Sequence, residues 1–150
     1  MRPAALAALL ALLPAAAPAQ VVGDPRVIGL LMTEYGLPVT EDVNPDGTPE
    51  LHSRVDGIRF RVLFYGCDPA GCATVQFSTG FDLDRPMALP RINDWNRDRR
   101  FGKAFLDADG DPFVEMDVNL YGDGIGRRNF DDTLDLWRQV LSDFRDHIQW

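Results

Sequence analysis

The stretch NFDDTLDLWRQVLSDFRDHI, residues 129–148, sets Phe130, Leu134, Trp137, Leu141, Phe144 and Ile148 at steps of 4, 3, 4, 3 and 4. That spacing draws one apolar stripe along a helix of about five turns, with charged residues filling the other faces. Asn129 reads as the N-cap, and Asp131 and Asp132 fall in the first turn, where the helix dipole favours negative charge. Burying such side chains is worth about 1.5–3 kcal/mol apiece, so the stripe needs a broad apolar surface to dock on. A sheet supplies one.

Toward the amino end, strands of the required kind come in pairs. In Pro112 to Leu120, Val114, Met116, Val118 and Leu120 point one way and Glu115, Asp117 and Asn119 the other, the period of two of a half-covered strand. Arg100 to Leu106 precedes it across an Asp109-Gly110 turn. Ahead of this hairpin, Ala88 to Asn96 carries Ile92 and Trp95 at helical spacing, with Leu89 one turn earlier on the same side, Pro90 in the first turn and Asn96 at the end. Ile58 to Tyr65 turns Phe60, Val62 and Phe64 to one face and Arg59 and Arg61 to the other. Asp56-Gly57 links it to an extended Glu50 to Val55, which Asn44-Pro45-Asp46-Gly47 joins to Val39 to Val43. Asp24-Pro25 opens a first helix, Pro25 to Tyr35, in which Val27, Leu30, Leu31 and Met32 are expected to give an apolar face before Gly36 stops it. The order predicts an α+β fold: an antiparallel sheet with an N-terminal helix, a short middle helix and a long C-terminal helix packed on it.

Cys67 and Cys72 flank Asp68-Pro69-Ala70-Gly71, a type I turn by composition, between two alternating runs. They therefore face each other at a hairpin tip, with Cα atoms expected about 5.5 Å apart, the separation a disulfide needs. A metal or haem site needs further Cys or His, and His52 and His147 lie far apart in sequence; a redox pair usually reads C-x-x-C. A structural disulfide is favoured over a redox-active pair, a metal site or free thiols.

Export would close that bond, and the start of the chain points to export. Met1-Arg2 is a positive start, Ala4 to Leu13 is wholly apolar, Pro14 ends the run, and Ala17-Pro18-Ala19 is a small-x-small site before Gln20. An apolar core of this length spans about 15 Å as a helix, half of a hydrocarbon layer of about 30 Å. A signal peptide over residues 1–19 is expected to be cleaved, leaving a single domain over 20–150 that is periplasmic or secreted and has no membrane segment. Gln20 to Gly23 reads as a linker. With 23 acidic residues, 15 basic residues and a net charge of −8, the chain has the wrong sign for a general nucleic-acid or anionic-membrane binder.

Asp107, Asp109 and Asp111 alternate like calcium ligands, but proline follows Asp111 and Val118 stands where an EF-hand loop needs glutamate, so an Asp-Gly hairpin turn is expected. Asp123-Gly124-Ile125-Gly126 fits no phosphate-binding spacing and reads as a flexible connection, with Arg127 and Arg128 as a weak anion contact. None of Ser53, Ser78 and Ser142 stands in G-x-S-x-G. His147 reads as a rim histidine, and Arg97, Arg99 and Arg100 as partners for nearby carboxylates. No catalytic residue, metal or cofactor emerges.

From Asp56-Gly57 onward, Phe60, Phe64, Cys67, Cys72 and Phe77, then Ile92-Asn93-Asp94-Trp95-Asn96, Arg100-Phe101, Phe105-Leu106-Asp107, Gly110-Asp111, Asp117-Val118 and Leu136-Trp137 to Phe144 resemble the bacterial YbjN-like family of sensory transduction regulators. The Ile-Asn-x-Trp-Asn segment followed by Arg-Phe is its most specific part. The resemblance implies a fold similar to type III secretion chaperones and brings no enzymatic activity, cofactor or catalytic residues. Asn93, Trp95, Asn96, Arg100 and Phe101 are its signature: Asn93 and Asn96 either satisfy backbone groups while Trp95 fills the core, or contact a ligand. The expected function is an exported, non-catalytic interaction or regulatory module, chaperone-like in binding a protein partner or a second copy as a homodimer. The alternative is a small envelope ligand sensor or enzyme with a pocket near Asn93, Trp95 and Asn96.

Overall fold

A computed structural model describes residues 20–150. The leader expected over residues 1–19 lies outside the described residues. The elements run β1 (Gln20–Val21), α1 (Pro25–Glu34), β2 (Val39–Val43), β3 (Pro49–Val55), β4 (Ile58–Asp68), β5 (Gly71–Gly80), α2 (Leu89–Asp98), β6 (Lys103–Leu106), β7 (Pro112–Asn119), β8 (Ile125–Gly126) and α3 (Arg127–Ile148). The α+β prediction holds. Six strands form one antiparallel sheet in the order β2-β3-β4-β5-β7-β6, and β1 pairs with β8 in a second, two-stranded sheet.

Alternation decides which face is covered. Leu51, Phe60, Val62, Phe64, Val75, Phe77, Val114 and Met116 are buried on one face, beneath α3 and α1. All six stripe residues of α3 are buried, with Val140 beside them. Trp137 sits at the centre, its ring centroid 5.9 Å from Phe60 and 5.7 Å from Phe77. In α1, buried Gly29 faces Val39 and Leu51, and a Cβ there would meet their side chains at 3.6 and 3.7 Å, ordinary van der Waals contact. The Asp24 carboxylate caps α1, accepting from the Arg26 amide at 2.8 Å and the Val27 amide at 3.3 Å.

Several boundaries differ from expectation, each for a local reason. The long helix begins at Arg127 behind an N-cap at Gly126, so Asn129 lies inside it and Asp131 and Asp132 fall beyond the first turn. Arg127 is recruited into the helix by an i,i+4 bond, its Nε donating to Asp131 at 3.1 Å. Gln20 to Gly23 is no linker and Asp123 to Gly126 no loose connection: Gln20 pairs with Gly126 and Val21 with Ile125. Gly124 permits this approach, because a Cβ on it would stand 2.1 Å from the Val21 carbonyl oxygen. The middle helix runs on to Asp98, past Asn96, and Ile92 and Trp95 are buried while Leu89, expected on the same side, is 64% exposed. The sixth strand starts only at Lys103, since Gly102 turns the chain at φ 72°.

Candidate functional site

The second face of the large sheet carries no helix among the described residues. Pairing register lays out its rows. One runs Thr40, His52, Arg61, Ser78, Glu115, Lys103, and the next Asp42, Glu50, Leu63, Gln76, Asp117. Most of these side chains are engaged with one another. Tyr65 donates to Gln76 at 3.2 Å, Gln76 donates to Asp117 at 3.0 Å, and the Ser78 hydroxyl donates to Glu115 at 3.1 Å. Glu50, only 4% exposed, lies 3.1 Å from His52 Nε2 and 3.6 Å from the Arg61 guanidinium. Partial burial, followed by the Glu115 and Asp117 charges, raises the Tyr65 pKa and keeps its phenol a donor.

A third row is different. Arg54 pairs with Arg59 across β3 and β4, while Gly80 pairs with Phe113 and Phe113 with Phe105 across β5, β7 and β6. Gly80 is the flat spot on which the Phe113 ring lies; a Cβ there would come within 2.5 Å of it. Phe105 stacks on Phe113 at 5.3 Å and 17°. The Asp56-Gly57 turn between β3 and β4, with both residues at positive φ, fixes the Arg54–Arg59 register. Alternation on either side of this two-residue turn carried the signal in the sequence, which had placed only Arg59 and Arg61 on one face.

The signature residues go elsewhere. Trp95 is 1% exposed, with its indole N–H donating to the Gly102 carbonyl at 2.8 Å. The Asn96 amide completes the outer edge of β6 as a neighbouring strand would, donating to the Ala104 carbonyl and accepting from the Ala104 amide, each at 2.9 Å. Asn93 is exposed, and Arg100 lies over the half-exposed Phe101 ring at 5.2 Å. Asn93, Trp95 and Asn96 thus have three different surroundings: solvent, the core and the edge of β6. Arg97 pairs with Asp94 and Asp98, as its neighbourhood predicted. His147, read as a rim residue, meets the Arg91 carbonyl through Nε2 at 2.8 Å, while the Arg91 guanidinium donates to the His147 carbonyl at 2.9 Å. That reciprocal clasp joins α2 to α3, and nothing in the local sequence marks it.

Cys67 and Cys72 are directly opposite, with their sulfurs 2.15 Å apart. Their Cα atoms are 3.8 Å apart rather than the expected 5.5 Å. The Cys72 amide donates outward to the Gly23 carbonyl at 2.9 Å, so the cysteines form a non-hydrogen-bonded pair, the closer of the two antiparallel kinds. A cleft of about 320 Å3 opens beside this tip, lined by Gly23, Gly71, Leu120 and Tyr121 among others. In the aspartate-rich turn, Asp107 accepts from the Asp109 and Asp111 amides and Asp111 accepts from the Leu83 amide, so two of the three carboxylates serve the backbone. Among the described residues no group of three or more His, Cys, Asp or Glu is arranged to hold a metal ion, and no helix is long and apolar enough to cross a membrane.

A two-layer α+β domain with one covered and one bare sheet face is the class these features define. The chain belongs to the YbjN family, described as a putative bacterial sensory transduction regulator, whose family model matches residues 24–150. No curated protein and no solved structure matched the chain.

Proposed function

We propose that this chain is an exported, non-catalytic module that serves its family's regulatory role by presenting the bare sheet face to a protein partner in the bacterial envelope. The carrying observation is the asymmetry of the large sheet: helices cover one side, and the other is a six-stranded platform of cross-linked polar side chains. Such a platform is pre-ordered, so docking on it costs little side-chain entropy. The leader pattern over residues 1–19 supports export, and the apposed sulfurs of Cys67 and Cys72 support a closed bond in an oxidising compartment.

The test places a photo-crosslinking residue at Gln76, in the middle of the platform, and separately at exposed Arg128 on α3. In cells, the Gln76 position should capture a defined envelope protein that the Arg128 position does not, and the captured chain should begin at Gln20 with its two thiols joined. No adduct from Gln76, or the same adducts from both positions, removes the reading. A chain that retains residues 1–19 in the cytoplasm removes its export component.

A further inference from the structure

The Arg54–Arg59 pair and the Gly80–Phe113–Phe105 row lie at one end of the platform, each two residues beyond the Arg61–Ser78 pair that ends the β4–β5 ladder. Like charges directly opposite each other on neighbouring strands repel, and both arginines are exposed. Among the described residues neither has a carboxylate within 4.0 Å, although the chain carries 23 acidic residues. The nearest acid in sequence, Asp56, is held on the helical side by Arg138, whose Nε and Nη2 donate to it at 2.6 and 2.9 Å. Arg61, the next cation along β4, shares Glu50 with His52. The corner therefore keeps two guanidinium groups unneutralised on a chain of net charge −8.

We infer that this end of the platform docks an extended acidic segment of a partner protein, its carboxylates on Arg54 and Arg59 and an aromatic side chain on the Phe105–Phe113 stack. The inference rests on the bare face being the binding face. Charge complementarity selects the occupant, since guanidinium forks match carboxylates in bidentate geometry and flat phenyl rings accept an aromatic partner. A second copy also carries −8 and is repelled at low ionic strength. Spacing adds a constraint. Strands lie about 4.8 Å apart, so the centres of the arginine pair and the phenylalanine pair are about 14 Å apart, which an extended peptide covers in about four residues.

The probe is a fluorescent hexapeptide, Glu-Glu-Ser-Gly-Phe-Phe, titrated into the oxidised mature protein at low and moderate salt. Binding should weaken with salt, fall at least tenfold with Arg54→Glu/Arg59→Glu, and return when the variant meets a peptide with lysines in place of the glutamates. Phe105→Ala should weaken it without changing the salt dependence. Unchanged binding in the double variant, or no binding to the wild type, overturns the inference. Arginine-dependent binding of phosphatidylglycerol vesicles or single-stranded DNA instead of the peptide overturns it in favour of a lipid or nucleic-acid ligand. A dimer that the double variant dissolves overturns it in favour of self-association. If Gln76 still captures its partner in the double variant, only the corner assignment fails and the bare-face reading stands.

Discussion

Trp95 and Trp137 are equally buried, yet among the described residues one indole nitrogen has a partner and the other has none. The Trp95 N–H donates to the Gly102 carbonyl, whereas the Trp137 nitrogen is buried without a hydrogen bond. Replacing Trp95 by Phe strands a buried acceptor, while replacing Trp137 by Phe removes a donor that had nothing to bond. Chemical denaturation should therefore show Trp95→Phe to be the costlier change by about 1 kcal/mol or more. Arg59 offers the opposite sign. Arg59→Glu converts a repulsive cross-strand pair with Arg54 into an attractive one and should raise stability by a few tenths of a kcal/mol, about 0.5 at most, while weakening acidic-peptide binding. A melting temperature that falls instead would show that the two guanidinium groups are already neutralised.

At the scale of elements, α1 is held to α3 by two polar ties. Tyr35 donates to Asp135, and Arg127 joins Glu34 at 2.8 Å. Desolvation, followed by the hydrogen bond to Asp135, pushes the Tyr35 pKa up to about 12. The unfolded phenol ionises near pH 10, so the stability tied to the protonated group is complete below that value and is lost as pH rises toward 12. Stability measured across that alkaline window should decline, and Tyr35→Phe should remove this part of the decline. A profile identical in the variant rules the tie out as the cause. The β4–β5 hairpin supplies a second prediction at this scale. Its cysteines close a short loop, so reduction should cost about 2 kcal/mol, the low end for a disulfide, and leave the fold intact. Collapse of the near-ultraviolet dichroism on reduction alone would contradict that.

For the molecule as a whole, much of the plan was readable from residues. The Asp56-Gly57 and Asp109-Gly110 turns, the alternation in β4 and β7 and the α3 stripe all express local periods that survive in the finished fold. Strand order was not readable. That β7 lies against β5, leaving β6 at the edge, depends on α2 and its Trp95 and Asn96 contacts, which join parts of the chain through side chains rather than through a period. The same holds for β1 and β8, two residues each, too short for any pattern to show. Of the candidate site, Arg59 was visible as an outward residue, but its place opposite Arg54 and the unpaired state of both depend on strand register and on Asp56 being engaged by Arg138. Gly124→Ala tests the small sheet: it should break the Val21–Ile125 pairing and speed amide exchange there, leaving the large sheet protected.

That small sheet also sets an order of events. Val21 must wait for Ile125, and Gly23 must wait for Cys72, before the amino end can be laid down. Closure is thus a late step, taken only once the chain has been made through Ile125. A product cut short before Ile125 keeps a frayed beginning as well as a missing end, and both are open to degradation by proteases.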